Sequence, residues 1–176
     1  MDIWLASHND DETLYGAYTI MREKPLVVIV TDGYLHVPKG VQPEDRRQES
    51  IRAMLILEAP VVFLGLHDDN LKEYEIYTRL CNLKNIDKVY APAVYEDGHK
   101  HHNMVGRVAL ELWGFKVGKY ATYTMDNPVP QGNIEVVPSE EERLLKSLAL
   151  KEYDSQLKLN KLYFDAVDGK SEWLIR

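Results

Sequence analysis

The sequence predicts a single three-layer α/β domain built on a mainly parallel sheet, and three observations carry that expectation. Short apolar runs alternate with amphipathic helical patterns from the first residues to about residue 157. Two of the runs, "LVVIV" (26–30) and "VVFLGL" (61–66), are nearly continuous rather than alternating, as in strands covered on both faces. Each of the first four runs ends in polar residues, at the strand ends where open α/β sheets place their ligands.

The elements follow in order. "IWLAS" (3–7) is the first expected strand. It runs into "SHNDDE", a strand-to-helix turn whose Asn and Asp suit a turn or an N-cap. The second strand, 26–30, ends in "TDG". "PEDRRQESIRAMLILEA" (43–59) reads as a helix, with Pro and acids at its start and Ile51, Met54, Leu55 and Leu57 toward its end. The third strand, 61–66, runs into "HDDN", where Asp68–Asp69 taken alone suggests a solvated turn. A helix over 73–84 leads to the fourth strand, "VYAPAV" (89–94), which ends in "EDGHKHH". "HNMVGRVALELWGF" (102–115) sets Val105, Val108, Ala109 and Leu112 on one helical stripe. "YATYTM" (120–125) is a fifth strand and "DNPVPQGN" (126–133) a loop. "SEEERLLKSLALKEYDSQL" (139–157) is one amphipathic helix opened by Ser139 and Glu142 at capping-box spacing.

Composition narrows the function. With 176 residues, 45% of them hydrophobic and 28% charged, the chain is expected to form one domain over 1–176 with a real core. A net charge of −7 argues against a general nucleic-acid or anionic-membrane surface. No apolar run approaches the roughly 20 residues of a membrane span, and the opening "MDIWLASHNDDE" has no leader-like pattern, so a cytoplasmic protein is expected. The one cysteine, Cys81, is read as a small core residue, with neither a disulfide nor a Cys-rich metal site. No G-x-G-x-x-G follows the first strand, which argues against dinucleotide binding.

Strand ends that converge on one rim gather His8, Asp10, Asp11, Asp32, Asp68, His99, His101 and His102. Hydrolytic zinc takes three ligands from His and carboxylate and keeps a position for water. His8 and Asp11, three apart at the turn, suit one centre; a third ligand comes from "GHKHH", and iron(II) suits the same donors. Asp10, adjacent to Asp11, is left to act as a general base. His36 and His67 are read as surface or loop residues.

These segments resemble the LmbE-like, or PIG-L, family of zinc-dependent N-deacetylases. "SHNDDETLYGA" is similar to the A-H-P-D-D-E signature and "GHKHHNMVG" to the H-x-D-H signature. "VTDGYLH", "RRQESIRA", "LGLHDDNL", "ALKEYDSQL" and, loosely, the closing strand "SEWLIR" match further family segments in family order over almost the whole chain. The resemblance implies a Rossmann-like fold holding one zinc on His8, Asp11 and His102, with Asp10 as base and His99 as oxyanion stabiliser or acid. It implies removal of an N-acetyl group from an N-acetylglucosamine-type sugar or glycoconjugate, which Arg46 and Asp68 contact. Otherwise Arg46 reads as a surface helix charge paired with Glu44 or Glu49. Glu12 and Glu49 are read as structural, and Tyr95 as a hydroxyl reaching over the site.

Four positions depart from the family pattern. Asp69 stands where the L-G-x-x-D-G-x-L segment has Gly. Asn9 and Lys100 replace common prolines and supply no ligand. His101, grouped with the substrate-facing residues, replaces the usual Asp, which would lower local positive charge and fix a histidine tautomer. Two rival readings stay open: hydrolysis of a non-sugar amide on the same fold, and a non-catalytic metal- or ligand-binding module. Homo-oligomerisation and the substrate's aglycone also stay open.

Overall fold

Strands β1 (Asp2–Ala6), β2 (Leu26–Thr31), β3 (Val61–Leu66), β4 (Lys88–Pro92), β5 (Val117–Tyr120), β6 (Ile134–Val136) and β7 (Glu172–Ile175) join in one sheet. A computed structural model provides these elements and describes every residue except His36, Asp126 and Pro128; the expectation for His36 therefore lies outside the described residues. The strand order is β3-β2-β1-β4-β5-β7-β6. The first five strands pair in parallel, with Leu5 opposite Val28 and Ile3 opposite Val89, while β7 runs antiparallel to β5 and β6.

Both faces of the sheet are covered, and the period of two along each strand divides the core. Trp4, Ala6, Val27 and Ile29 point into one cluster. There they meet Leu14, Ala17 and Ile20 of α1 (Asp11–Glu23), Ala53 and Met54 of α2 (Pro43–Ile56), Leu150 of α5 (Glu140–Leu150) and Phe164 of α6 (Asp154–Val167). Ile3, Leu5, Val28 and Val30 face the other cluster, with Ile76 and Leu80 of α3 (Glu73–Leu80) and Val105, Val108 and Ala109 of α4 (Lys100–Trp113). An apolar residue is therefore needed at every position from Val27 to Val30, and the predicted three-layer α/β/α fold is the one observed.

Three expectations are corrected. The fifth strand is Val117–Tyr120, not 120–125, since its pairing with β4 ends at Pro92 opposite Tyr120. Residues 121–125 instead run on as irregular chain, with Ala121 and Thr122 buried and Thr124 bridged to Gly98. The stretch 139–157 is two helices, not one. The break falls at Tyr153 (φ −90°, ψ 58°), whose buried side chain bonds back to α1 through Thr13 Oγ1 and Glu12 Oε1 at 2.9 and 2.7 Å. Cys81 lies half-buried at the C-cap of α3, outside both core clusters. Among the described residues no helix is long and apolar enough to cross a membrane.

Candidate active site

The turn from β1 into α1 is wound tightly enough to bring His8, Asp10 and Asp11 to one place. Thr13 N and Leu14 N both donate to Asp10 O, at 3.0 and 2.9 Å, and His8 N donates to Asp11 Oδ2 at 2.9 Å. Closing that turn puts Asp10 at φ 128° and ψ −30°, a left-handed conformation that costs a non-glycine residue about 1–3 kcal/mol. Asp10 occupies the N-cap position, yet its side chain caps nothing. His8, Asp10 and Asp11 instead line a cavity of about 550 Å³.

The opposite side of the site comes from α4. His102, on its first turn, is 1% exposed, and neither ring nitrogen has a hydrogen-bond partner. Its Nε2 lies 3.2 Å from Asp11 Oδ2, and His8 Nδ1 lies 3.3 Å from the same oxygen. Donor atoms bonded at 2.0–2.1 Å to one tetrahedral ion stand about 3.3 Å apart. The spacing and the orphaned His102 nitrogens therefore fit a cation held by His8, Asp11 and His102, the set expected from the motifs. His99 and His101 complete the cluster: their ring centroids lie 5.0 and 5.2 Å from that of His8, and His101 Nδ1 approaches His8 Nε2 to 3.0 Å. His99 Nδ1 is buried without a partner.

The electrostatics divide the two neighbouring acids. Burial pushes the Asp11 carboxyl up, but the adjacent rings of His102 and His8 together hold it well below the usual carboxylate range. Burial raises Asp10 well above that range; Arg46 opposes the rise, and Asp11, Glu12 and Glu49 add to it. Burial, followed by the like charge of His8, takes His99 down to about 3 and His101 to about 4. Both rings are thus neutral at neutral pH.

Arg46 is not a surface charge. It is buried beneath the turn, 3.5 Å from Asp10 Oδ2, and donates to Gly33 O at 2.7 Å and to Asn9 O. Gly33 sits at φ +63°, and a Cβ there would come within 2.2 Å of Arg46 Nη1, so the "TDG" glycine is the space the guanidinium occupies. Asn9, in place of the common proline, donates to Ser50 Oγ at 3.2 Å and helps tie α2 to the turn. Glu12 accepts from Asp10 N, and Glu49 accepts from Ser155 N and Oγ, at 3.0, 2.7 and 2.6 Å. Both acids are structural, as expected, although Glu49 joins two helices rather than pairing within one.

The polar rim is only partly solvated. Asp68 is buried, lines the cavity and accepts from Leu35 N at 3.0 Å, whereas Asp69 is exposed. The solvated-turn reading thus holds for Asp69 alone. Asp32 is buried with exposed His67 3.7 Å away; with Asp68 these form a separate group of donors within 4.8 Å of one another, beside the His8/Asp11/His102 and His8/His99/His101 groups. Tyr95 does not reach over the site, for its hydroxyl is buried and it is absent from the cavity wall. That wall instead holds Tyr123, Gln156 and Tyr163, none of them singled out in the sequence. The Gln156 Nε2 is buried without a partner. The "YDSQL" match was the one signal for this wall, and it pointed to a segment without assigning a role.

Fold and site together define a three-layer α/β protein with a His/Asp cluster, able to hold a metal ion, at the carboxyl ends of its strands. The chain belongs to the PIG-L family, whose profile, described as GlcNAc-PI de-N-acetylase, matches residues 3–113. No curated protein matches the sequence. Among solved structures, N,N'-diacetylchitobiose deacetylase from Pyrococcus horikoshii, complexed with its inhibitor MPG, is similar with a TM-score of 0.77 and 17% identity, over 98% of this chain and 82% of that one. GalB, the 4-carboxy-2-hydroxymuconate hydratase of Pseudomonas putida KT2440, gives a TM-score of 0.70 and 14% identity over 94% and 83%. The zinc-inhibited form of the teicoplanin deacetylase Orf2 gives 0.66 and 16% over 91% and 86%.

Proposed function

We propose that the protein removes the acetyl group from an N-acetylglucosamine-type sugar or glycoconjugate, releasing acetate and a free amine. The observation that carries this reading is the meeting of His8 Nδ1 and His102 Nε2 on Asp11 Oδ2, at 3.3 and 3.2 Å, beside a raised and buried Asp10. His8, Asp11 and His102 would hold one divalent cation, zinc or iron(II). When bound there, the cation supplies Lewis acidity, polarising an amide carbonyl and making water more acidic.

The chain's own groups carry the proton traffic. Asp10, ionised, accepts a proton from water attacking the amide carbon; its elevated affinity for protons brings it closer to the working pH than an ordinary carboxylate. Asp10 then returns that proton to the departing amine. The neutral His99 ring donates one N–H toward the developing oxyanion, an interaction worth several kcal/mol in such sites. Asp68 accepts from substrate hydroxyls. Arg46, with donors already committed to Gly33 and Asn9, borders the sugar chiefly as the charge that keeps Asp10 ionised.

A fold shared with a hydratase at 14% identity does not choose the reaction; the donor set and Asp10 are what support amide hydrolysis. The test is metal content of protein purified without added metal, beside His102→Ala, followed by acetate release from acetylated sugars and from simple amides. About one zinc or iron per chain, lost in the variant, with acetate from the sugars is the expected result. Acetate from simple amides alone would move the substrate class. No metal and no acetate would leave a binding module.

A further inference from the structure

We propose that His101 is a positioning residue whose Nδ1 accepts the Nε2–H of His8 and so leaves the Nδ1 lone pair of His8 facing Asp11 and the cation. It rests on the functional reading above, since it takes His8 to be a ligand.

A neutral imidazole carries one proton on two nitrogens, and a ligating nitrogen must be bare. Which nitrogen is bare is set by the partner of the other. In His8 the two are sorted by place: Nδ1 is 3.3 Å from Asp11 Oδ2, and Nε2 is 3.0 Å from His101 Nδ1. His99, whose ring lies edge-on to His8 with centroids 5.0 Å apart, makes no such bond. His101 also precedes His102 on the first turn of α4. One helical turn thus presents the third ligand and, one residue earlier, the group that orients the first ligand in the turn after β1. The usual family carboxylate at this position would bring a negative charge; the imidazole does the orienting without one, so the ligand set keeps more net positive charge.

Zinc-loaded wild-type protein, His101→Ala and His101→Asn separate orientation from packing, because Asn Oδ1 offers an acceptor where His Nδ1 stood. Long-range proton–nitrogen NMR reads the His8 tautomer, and chelator competition reads zinc affinity. Expected are a proton on His8 Nε2 in the wild type, zinc held about 10- to 100-fold more weakly by His101→Ala, and His101→Asn within about threefold of the wild type. A His8 proton on Nδ1 overturns the proposal, as does unchanged affinity in His101→Ala or equal loss in Ala and Asn. Two zinc ions per chain, one lost with His101, would make it a ligand and equally overturn the proposal. Wild-type protein that holds no zinc sinks the functional reading as well, whereas zinc held equally by the Ala variant sinks only the role of His101.

Discussion

The Asp10 carboxylate and the Arg46 guanidinium lie 3.5 Å apart, both buried, at the base of the cavity. Burial works against the Asp10 charge and Arg46 works for it. An acid balanced in this way can take a proton and give it back. Asp10→Asn keeps the shape and removes that capacity. Turnover is expected to fall by about 10²–10⁴-fold with metal content unchanged, measured by acetate release and elemental analysis. Near-full turnover would remove Asp10 from the role of base.

The same pair gives a pH dependence with a definite sign. Arg46 is the group that lowers the proton affinity of Asp10. In Arg46→Gln, Asp10 binds its proton more tightly, so less of it is ionised at any given pH. The acidic limb of the rate profile should move to higher pH. A limb that stays in place, or moves toward acid, would show that another group controls it.

Gly106 decides how closely α4 lies on β4. A Cβ there would come within 2.4 Å of Pro92 O, a backbone atom that cannot step aside. Gly106→Ala should therefore cost about 1–3 kcal/mol of stability. Because His102 lies one turn earlier on the same helix, zinc affinity should weaken with it. Urea unfolding and chelator competition test the two together; a stable variant with normal affinity would mean that α4 carries its histidines independently of its seat on β4.

Lys146 and Glu172 form a buried ion pair at 2.9 Å, and neither lines the cavity. Glu172→Ala would strand the ammonium and also the Tyr18 N–H that Glu172 accepts at 3.1 Å. The expected loss is about 3–5 kcal/mol. Replacing both partners by apolar residues, Lys146→Met with Glu172→Leu, should recover much of it. Denaturant midpoints decide, and a double variant no better than the single one would locate the cost in the Tyr18 contact.

The residues proposed as ligands are legible because each sits in a short local motif at a strand end, and an open α/β sheet has one rim on which such ends meet. His8 and Asp11 needed only the turn after β1, and His102 only the first turn of α4. Arg46 was harder to read. "PEDRRQES" has the charge pattern of a solvated face, and nothing local reveals that the third residue after Pro43 turns inward to the backbone of Gly33 and Asn9. The cavity wall was hidden for another reason. An apolar stripe on a helix looks the same whether it meets core or cavity, and the break at Tyr153, with neither Gly nor Pro, left 139–157 reading as one helix. Strand β6, three residues long, is too short for any alternation to register.

The left-handed turn at Asp10 sets durability against usefulness at a single residue. Glycine would sit at φ 128° without the strain that aspartate bears there, but it would leave the buried Arg46 guanidinium without its carboxylate. A descendant freed from its chemistry would gain from a glycine in the middle of "HNDD" only if residue 46 lost its charge as well, so retirement would be marked at two positions together.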